Sequence, residues 1–324
     1  MKIVDGFNYT SILMAKEILQ MGGVVAFPTE TVYGLGADAF NPYAVAKIFE
    51  IKKRPRFDPL IVHIDKKEWL KEITTDLPDN AIMLTERFWP GPLTIIVKKK
   101  PIIPDIVTAG LSTVGIRMPA HPVAQDLIVR LGRPIAAPSA NPFGYMSPTR
   151  ADHVAQMLRG RVELILDGGK SVFGIESTIV SFKGDSVFIN RHGAISEEEI
   201  SGVIGTVHEA KDSGVCESPG SLPYHYSPDR PLKLIHSPLE IETDSSSLLA
   251  FKAPSVRVIS RYVRILSEKG DMREAAANFF SYLIELDKKD VDVIYAEQIP
   301  EKGLGRAMME RLRKASKKYR YITL

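Results

Sequence analysis

The sequence predicts a mixed α/β protein with two domains, the second smaller than the first. Short apolar runs of strand length recur along the chain, and amphipathic helical patterns lie between several of them. The strands outnumber the helices and their connections vary, which favours a mixed sheet over a regular succession of βαβ units. The 324 residues are also more than one hydrophobic core usually organises.

Apolar runs predict the strands of the larger domain. They occupy residues 24–27, 60–64, 93–97, 114–118, 135–137, 164–166, 178–182 and 187–189. Runs of this length, bounded by turn residues, are typical of strands that are buried within a sheet.

Capping residues predict where three helices begin. Asn41 is followed by a proline at the first helical position, an arrangement typical of a helix start. Thr149 has Asp152 three residues later, a variant of the capping box. Ser196 with Glu199 repeats this pattern.

A stretch rich in serine, proline and glycine separates the larger domain from the rest of the chain. Residues 212–232, "DSGVCESPGSLPYHYSPDRPL", show no sustained apolar period and are typical of a linker. Beyond them we predict strands at 232–236, 255–260 and 290–297, and amphipathic helices at 271–289 and 305–319. The expected division is a domain at 1–205, a linker at 206–231 and a domain at 232–324.

The composition excludes several classes of protein. Lysine and arginine total 42 against 39 acidic residues, a net charge of +3 that is too balanced to indicate a nucleic-acid-binding protein by itself, so any anion site must be local. The single cysteine, Cys216, excludes an internal disulfide and a cysteine-rich zinc site. The opening "MKIVDGFNYT" lacks the apolar core of a signal peptide, and no apolar run approaches the roughly 20 residues that span a bilayer. We therefore expect a cytoplasmic protein without a membrane segment.

Two glycine motifs do not support a dinucleotide site. "GLGADA", with Gly34, Gly36 and Ala39, fits the loose form G-x-G-x-x-A, and "GLGRAM", with Gly303 and Gly305, fits only half of it. The first stands several residues beyond its strand and the second lacks a third small residue, whereas the fingerprint joins a strand directly to a helix. We interpret both as turns and close-packing glycines. The chain also contains no G-x-x-x-x-G-K-[ST] motif, so an ATP site would not be a P-loop.

The stretch "EIKKRPRFDPLIVHI" concentrates positive charge directly before an apolar strand. Lys52, Lys53, Arg54 and Arg56 stand near a single carboxylate, Asp58. A solvated helix end is one explanation, and a site for an anionic ligand is the other. The residue before a proline avoids the α region, so a helix end is expected here. Side chains two positions apart need such an irregular backbone in order to point at one ligand.

Two polar loops follow predicted strands. "FPTETVYGLG" places Thr29, Glu30 and Thr31 where hydroxyl groups can bind a polar ligand or stabilise a turn. "APSANPFGYMSPT" supplies small donors such as Ser139 and Ser147 between prolines, and can form an anion-binding nest or a plain surface loop. Taken alone, each loop favours the structural explanation.

Isolated basic residues at apolar runs also have two explanations. Arg117 and Arg191 stand at or near the ends of such runs and, if buried, need an anionic partner, which an intramolecular carboxylate usually provides. His63, inside "LIVHI", is by type more often a core histidine than a ligand. His121, which precedes a proline, fits a helix entry.

Taken in order, the motifs resemble one family. "PTETVYGLG", "KKRPRFDPLIVHI", "TVGIRMP", "APSANPFG", "ESTIV" and "RHGAI" are similar to the YrdC/Sua5 family, the threonylcarbamoyl-AMP synthases, over roughly residues 10–205. "SPGSLPYHYSP" is similar to the linker of the two-domain Sua5 type, and "GLGRAMMERLRKAS" to the end of its C-terminal domain. Ser221 and Tyr224 depart from the many family linkers that carry a methionine and a basic residue at these positions.

The resemblance implies a fold and a reaction. The fold is a twisted-sheet YrdC-like domain with a positively charged concavity, followed by a smaller Rossmann-like domain. The reaction converts L-threonine, bicarbonate or CO2, and ATP into threonylcarbamoyl-AMP and pyrophosphate. A partner enzyme, a tRNA threonylcarbamoyltransferase, then passes the group to adenosine 37 of tRNA. Mg²⁺ is expected with ATP, held by the phosphates, since the sequence shows no dedicated carboxylate cage.

The resemblance also implies roles for individual residues. Lys52 and Arg54 match the K-x-R pair of the family, which implies that they hold phosphate oxygens and stabilise the departing pyrophosphate. The implied ATP-binding residues are Lys52, Arg54, Asp58, Thr113, Ser139, Ser147, Arg191 and Tyr226. The implied threonine-binding residues are Thr31, His63, Arg117, Ala137 and Ser177. We expect Tyr224, His225 and Tyr226 to form a lid over labile intermediates.

Two other functions compete with this interpretation. A double-stranded RNA or tRNA-binding protein without catalysis is the main alternative, but the near-neutral charge and the lack of an RNP-like or KH-like motif count against it. A carbamoyl-adenylate enzyme of hydrogenase maturation uses a related domain, but its acylphosphatase and zinc-finger modules are absent from this sequence.

Overall fold

The structure is a computed structural model that describes residues 1–210 and 225–317, built on two sheets. The first sheet contains β1 (Lys2–Asp5), β2 (Val25–Phe27), β3 (Gly34–Asp38), β4 (Ile61–His63), β5 (Leu93–Lys98), β6 (Thr113–Arg117), β7 (Ile135–Ala137), β8 (Leu164–Asp167), β9 (Thr178–Lys183), β10 (Ser186–Arg191) and β11 (Val207–Glu209). Its helices are α1 (Tyr9–Gln20), α2 (Pro42–Lys52), α3 (Trp69–Ile73), α4 (Asp79–Phe88), α5 (Asp105–Thr108), α6 (Pro122–Leu131), α7 (Ala151–Leu158) and α8 (Glu197–Ile204). The second sheet contains β12 (Leu232–Ile235), β13 (Ser246–Ala250), β14 (Tyr262–Ile265) and β15 (Val293–Glu297), with a 3-10 turn at Pro238–Glu240 and the helices α9 (Met272–Asp287) and α10 (Leu304–Lys317).

The first sheet is mixed, as the sequence predicts. Its strand order is β1-β8-β2-β3-β7-β4-β6-β5-β9-β10-β11. β4 runs parallel to β6 and β5 parallel to β9, whereas β2 and β3, and also β4 and β7, pair antiparallel. Many neighbours are distant in sequence, so the sheet forms only when remote segments come together.

Alternate residues of the strands point to opposite faces of this sheet. On one face, Val62, Ile116 and Ala136 are buried in a core that α2, α4 and α7 cover. On the other face, Val25 and Phe27 pack beneath α1 and α6. The core under these two helices is formed with β2, β7 and β8. The helices therefore leave the same face of β4, β6 and β5 uncovered.

The second sheet is parallel throughout its described strands, in the order β12-β15-β13-β14, and confirms the expected smaller α/β unit. Helices α9 and α10 pack on it through Phe279, Phe280 and Met308, which are all fully buried. The same cluster contains Val32 and Tyr226, which belong to the first part and to the end of the linker. The two parts therefore share one hydrophobic core.

Three helix starts follow the sequence signals. The Asn41 side chain caps α2 by accepting two backbone N–H groups, and Ser196 with Glu199 forms a complete capping box at α8. His121 caps α6 through its ring nitrogen, which confirms its interpretation as a helix-entry residue.

The predicted cap of α7 is wrong by one position. Arg150 occupies the N-cap position, and no side chain there accepts a hydrogen bond from the helix. The Thr149 hydroxyl faces the ring of His153 instead, at 3.5 Å. A tertiary arrangement therefore replaces the local cap.

The strand predicted at 255–260 is also wrong. The apolar side chains of Val256 and Ile259 are 37% and 48% exposed, so this segment buries too little to join a sheet. Strands β13 and β14, on either side of it, pair with each other instead.

The glycines of "GLGADA" lie in β3 and not in a turn. A Cβ atom at Gly36 would lie 2.6 Å from side-chain atoms of both Phe27 and Ile135. At Gly305 a Cβ atom would lie 1.9 Å from a backbone carbonyl oxygen. The close-packing part of the interpretation is confirmed, whereas the turn is wrong for Gly34 and Gly36.

The first sheet extends beyond residue 205, because β11 pairs in parallel with β10. Most of the expected linker, including Ser221 and Tyr224, lies outside the described residues, which resume at His225. The division into 1–205, 206–231 and 232–324 stays a prediction. Among the described residues, no helix combines the length and apolar character needed to cross a membrane.

Gly174 marks a close approach of the two parts and allows a test of their packing. Its φ is +68°, and a Cβ atom there would lie 2.4 Å from the carbonyl oxygen of Ala276 in α9. Gly169 has a φ of +83° but nothing within 4 Å of its Cβ position. An alanine at Gly169 would therefore strain the backbone as one at Gly174 would, but without a steric clash, which makes it the matched control. We expect Gly174→Ala to lower the free energy of unfolding by about 1–3 kcal/mol more than Gly169→Ala, measured by denaturant unfolding. Equal losses would contradict close packing at this junction.

Candidate functional site

The candidate site lies on the face of the first sheet that α1 and α6 leave uncovered. The strand register places His63 beside Arg117, and Arg117 beside Thr94, on β4, β6 and β5. On β4 and β7, Ile61 stands opposite Ala137. Because side chains alternate along a strand, the residues between these positions point into the core that α2, α4 and α7 cover. His63, Arg117 and Thr94 point to the opposite face. A polar row therefore crosses three strands.

Loops close over this row and form a cavity. The residues that line it are Thr29, Thr31, Val32, Tyr33, Gly34, Arg54, Ile61, His63, Arg117, Ala137, Pro138, Ser139, Glu176, Ser177, Arg191, His225 and Tyr226. The free volume is about 50 Å³. The cavity is partly open to solvent.

Most of the residues implied by the resemblance meet in this cavity. Those that line it are Thr31, Arg54, His63, Arg117, Ala137, Ser139, Ser177, Arg191 and Tyr226. Those that lie outside its lining are Lys52, Asp58, Thr113 and Ser147. Thr113 begins β6 and borders a separate small hollow with Pro59 and Ile179. The roles of all these residues stay predictions.

The end of α2 explains the basic stretch singled out in the sequence. The helix ends at Lys52, and Lys53 adopts a left-handed backbone with a φ of 53°, so successive side chains point apart. Lys52 and Arg54 are only 1% and 6% exposed, whereas Lys53 and Arg56 are exposed to solvent. A wholly solvated helix end is therefore the wrong explanation for this charge.

Buried partners hold both of the buried cations. The Lys52 ammonium donates to the carbonyl oxygens of Ser139 and Asn141. Burial lowers the pKa of Lys52 well below its usual value, and the positive charge of Arg54 lowers it further. The Arg54 guanidinium lies 2.7 Å from the Asp58 carboxylate and also donates to the Asp58 carbonyl oxygen. Lys52 thus fastens the loop that carries Ser139 to the end of α2.

Arg117 is held by three acceptors around the cavity. Its guanidinium donates to Glu30 Oε1 at 2.6 Å, to Thr31 Oγ1 at 2.8 Å and to the Gly91 carbonyl oxygen at 3.3 Å. Arginine has five N–H donors, so a further acceptor can still be bound. Glu30 was visible in the motif but had no role assigned from the sequence. The signal that could have identified Glu30 is Arg117, because a buried arginine needs an anionic partner.

His63 is neutral at the pH of the cell. Burial lowers its pKa to about 3, and the positive charge of Arg117 contributes to this shift. Its ring contacts Phe27 edge-on, with 6.1 Å between centroids. Within the described part of the chain, His63 Nδ1 has no hydrogen-bond partner. The ring therefore lines the cavity in its neutral form.

Ser177 connects β5 with Arg191. Its hydroxyl lies 2.8 Å from the Thr94 hydroxyl and accepts an N–H from Arg191 at 3.1 Å. Arg191 also donates to the Ser177 carbonyl oxygen at 2.9 Å. Gly193 permits this contact, because a Cβ atom there would lie 2.3 Å from the Ser177 carbonyl carbon.

Glu176 and Arg311 form a buried pair that the sequence did not reveal. Glu176 lines the cavity, accepts the hydroxyl hydrogen of Ser147 and accepts Arg311 Nε at 2.7 Å. Burial alone would raise the pKa of Glu176, but Arg311 and then Arg191 lower it to about 2, so the carboxylate is anionic. Arg311 belongs to α10 of the second part. The sequence offered one hint of this pair. Arg311 stands three residues after Met308, which places a charged side chain on the otherwise apolar face of the helix.

His225 and Tyr226 form the roof of the cavity. Tyr226 has a φ of 64° and is 2% exposed, and its ring centroid lies 4.1 Å from that of His225. Burial lowers the pKa of His225 to about 3 and raises the pKa of Tyr226 above its usual value. The lid expected at this position stays a prediction, and Tyr224 lies outside the described residues.

Within residues 1–210 and 225–317, the carboxylates around the cavity are engaged by arginines. They are Glu30, Asp58 and Glu176. A separate group of possible metal ligands lies outside the cavity lining: His192, Glu197 and Glu209. Arg306 pairs with Glu197 and lies 3.7 Å from Glu209, so this group already has a cation beside it. A divalent ion in the cavity would therefore depend mainly on oxygens of its ligand.

Two family models match consecutive parts of the chain. The model described as telomere recombination, of the Sua5, YciO and YrdC group, matches residues 17–193. The model described as threonylcarbamoyl-AMP synthase, C-terminal domain, matches residues 195–317.

Curated relatives and a solved structure cover nearly the whole chain. The threonylcarbamoyl-AMP synthase of Pyrococcus abyssi is 44% identical over 318 residues, which are 94% of this chain and 94% of that protein. The threonylcarbamoyl-AMP synthase of Bacillus subtilis is 42% identical over 326 residues, 95% of this chain and 94% of that protein. The crystal structure of P. abyssi Sua5 complexed with L-threonine matches with a TM-score of 0.90 and 38% identity, over 98% of each chain.

The mixed sheet with its uncovered cationic face, followed by a small parallel sheet, defines a two-domain protein of the YrdC/Sua5 class. With relatives of 44% and 42% identity over almost its full length, the chain belongs to the threonylcarbamoyl-AMP synthase family. The prediction of an enzyme of this family, a nucleotidyltransferase, is confirmed. The comparisons give no support to a non-catalytic RNA-binding protein.

The buried His63 makes the fold sensitive to acid. Its pKa is lowered from 6.5 to about 3, so between these values the unfolded chain binds a proton that the native protein does not. The free energy of unfolding therefore falls as the pH falls through this range, by up to about 1.4 kcal/mol per pH unit for this group. We expect His63→Gln to remove up to about one proton from the pH dependence, with the largest change near pH 5, measured by denaturant unfolding at several values between pH 5 and 7. The exposed His208→Gln serves as control, and an unchanged slope in His63→Gln would contradict a neutral His63.

Proposed function

We propose that this cavity is where the chain makes threonylcarbamoyl-AMP and pyrophosphate from L-threonine, bicarbonate or CO2, and ATP. The observation that carries the proposal is the meeting of Arg54, Arg117 and Arg191 in one cavity. ATP brings about four negative charges and a carbamate one more, and their repulsion would be strong in a medium of low dielectric without cations. The similarity to the P. abyssi structure that contains L-threonine supports the amino acid as the second ligand.

Threonine is proposed to bind where β4 and β6 end, beside Ser177. Arg117 has donors for the α-carboxylate, while Thr31, neutral His63 and Ser177 supply hydrogen-bonding groups for the remaining polar atoms. Ala137 borders a space that suits a methyl group. A hydroxyl-reading hydrogen bond together with such a notch would distinguish threonine from valine and from serine.

ATP is proposed to lie on the side of Arg54. Arg54 lines the cavity, and Lys52 directs two of its three N–H donors to carbonyl oxygens, so both can contribute to a phosphate site. Further proposed nucleotide contacts are Asp58, Thr113, Ser139, Ser147, Arg191 and Tyr226. Ser147 donates to Glu176 in the structure, so a hydrogen bond to a phosphate oxygen requires its hydroxyl to rotate.

Mg²⁺ is proposed to enter with ATP, held mainly by the phosphates. Glu176 in the cavity lining, and Glu30 and Asp58 beside it, are paired with arginines, which fits an ion that the substrate itself coordinates. The ion would supply further neutralisation of the triphosphate charge.

The reaction then depends on positioning and charge, without a covalent enzyme intermediate. The neutral amine of threonine forms a C–N bond to CO2 and releases one proton to solvent, or it condenses with bicarbonate, and the amine proton then leaves with the bicarbonate hydroxyl as water. An oxygen of the resulting carbamate attacks the α-phosphorus as the bond to pyrophosphate breaks. Lys52 and Arg54 would reduce the repulsion on approach and stabilise the charge of the leaving group.

His225 and Tyr226 are proposed as part of a lid. Both residues are buried and line the cavity, so they lie where a lid would close over bound substrates. Its closure would keep water from the carbamate and from the mixed anhydride, which are both labile. A labile product also needs rapid consumption, and a tRNA threonylcarbamoyltransferase that acts on adenosine 37 is the proposed downstream partner, with a cytoplasmic location for both.

Pyrophosphate release should require L-threonine and bicarbonate together with ATP. Without either one there is no carbamate to attack the α-phosphorus. The measurement is pyrophosphate release with each component omitted in turn, and with L-serine in place of L-threonine. Serine lacks one methyl group and should react about 10- to 200-fold less efficiently. Release that ignores threonine or bicarbonate would overturn the proposed function.

The basic stretch offers matched pairs of variants. We expect Lys52→Ala and Arg54→Ala to lower kcat/KM for ATP by about a hundredfold or more, because each removes a donor to developing charge. Lys53→Ala and Arg56→Ala remove neighbouring exposed cations and should change it little. The thermal unfolding midpoint is measured for each. If Lys52→Ala and Arg54→Ala lose turnover only because they no longer fold, the two cations are structural.

A further inference from the structure

Arg311 is the side chain through which the second part of the chain reaches the cavity. It is 1% exposed, although it lies on the last described helix, α10. Its Nε lies 2.7 Å from Glu176 Oε2, and the side chains of this pair are 1% and 7% exposed. Glu176 is a cavity-lining residue, so an arginine of one part is bound to the synthase site of the other.

The remaining contacts of Arg311 hold it against the cavity. Its guanidinium carbon lies 5.2 Å above the centre of the ring of Tyr226, a distance typical of a cation–π contact. Nη1 donates to the carbonyl oxygens of His192 at 3.0 Å and Ala307 at 2.8 Å. Arg311 thus contacts two residues that line the cavity, Glu176 and Tyr226.

Glu176 needs this partner because of where it lies. A buried carboxylate beside a site for a triphosphate would repel the ligand and would also be costly to desolvate. Arg311 neutralises it by direct contact, and the Ser147 hydroxyl satisfies its other oxygen. Arg311 does not itself line the cavity, so any effect on the nucleotide passes through the residues it contacts.

We propose that Arg311 is a positioning residue of the synthase site, an inference that rests on the proposed function. It compensates Glu176 and fixes the ring of Tyr226, so that the nucleotide meets a net cationic surface under an ordered roof. The second part of the chain thereby completes the active site electrostatically. Without this arginine, Glu176 would act as a buried anion in competition with the phosphates.

Three arginines on α10 make the proposal testable. Arg306 pairs across the junction with Glu197 at a partly exposed site, and Arg313 pairs with Glu301 near the surface of its own part. Arg306→Met therefore perturbs the junction without touching the cavity, and Arg313→Met changes the charge of the helix alone. These two are the matched controls for Arg311→Met.

The experiment measures the Kd of a non-hydrolysable ATP analogue by calorimetry, and KM and kcat from pyrophosphate release, in the full chain. We expect Arg311→Met to weaken analogue binding and raise the KM for ATP by roughly tenfold or more, because a buried charge loses its partner. Arg306→Met and Arg313→Met should stay close to the unsubstituted protein. Unchanged analogue binding in Arg311→Met would overturn the proposal, as would an equal loss in Arg306→Met.

A double variant separates compensation of Glu176 from plain docking of the two parts. Glu176→Gln removes the buried anion, so adding Arg311→Met to it should weaken analogue binding far less than Arg311→Met does alone. A full additional loss in the double variant would show that Arg311 acts by another route. If Arg311→Met alone does not fold, the comparison of the double variant with Glu176→Gln still decides the question.

Failure of this inference differs from failure of the proposed function. If the unsubstituted protein binds the analogue but releases no pyrophosphate with L-threonine and bicarbonate, the proposed function fails. The effect of Arg311 on analogue binding is measured in either case. If turnover is normal and Arg311→Met binds the analogue normally, the inference alone fails.

Discussion

Buried positive charge is the constraint on which the arrangement of this protein depends. Arg54, Arg117 and Arg311 are between 1% and 6% exposed, and each lies 2.6 to 2.7 Å from a carboxylate oxygen. A buried ion that loses its partner costs about 3–5 kcal/mol, so these pairs have to form together with the fold. The charges are then part of the scaffold, and an anionic substrate meets donors whose positions are already set.

Two of these pairs connect segments that are far apart in sequence. Arg117 on β6 meets Glu30 in the loop after β2, and Arg311 on α10 meets Glu176 just before β9. Each pair fastens a loop to a regular element at the edge of the uncovered sheet face. A face covered by apolar helices would have no place for these charges, so the lack of such a cover above β4, β6 and β5 is a condition for the site.

How much could be predicted from the sequence depended on the range of the interactions. Strands such as β5 and β9 carry their own apolar pattern, and Asn41 and Ser196 cap their helices through local hydrogen bonds. The predicted cap at Thr149 was wrong because its hydroxyl makes a tertiary contact with His153. The predicted strand at 255–260 was wrong because the segment buries too little apolar surface. The pairing of Glu176 with Arg311 left no local pattern, since the two residues belong to different parts of the chain.

By itself, the sequence determined the mixed α/β class, a second smaller unit, a helix that ends in a basic stretch, and motifs that belong to one enzyme family. The first three properties follow from periodicity, capping and composition within short windows of sequence, whereas the family follows from the resemblance of the motifs. Only the tertiary structure decided which carboxylate each arginine meets and that Lys52 donates to the carbonyl oxygens of Ser139 and Asn141. It also decided that α10 supplies the arginine that pairs with Glu176. Those outcomes depend on strand register and on the junction of the two parts. Both are set by the sum of many contacts between remote residues, none of which is visible in any one segment.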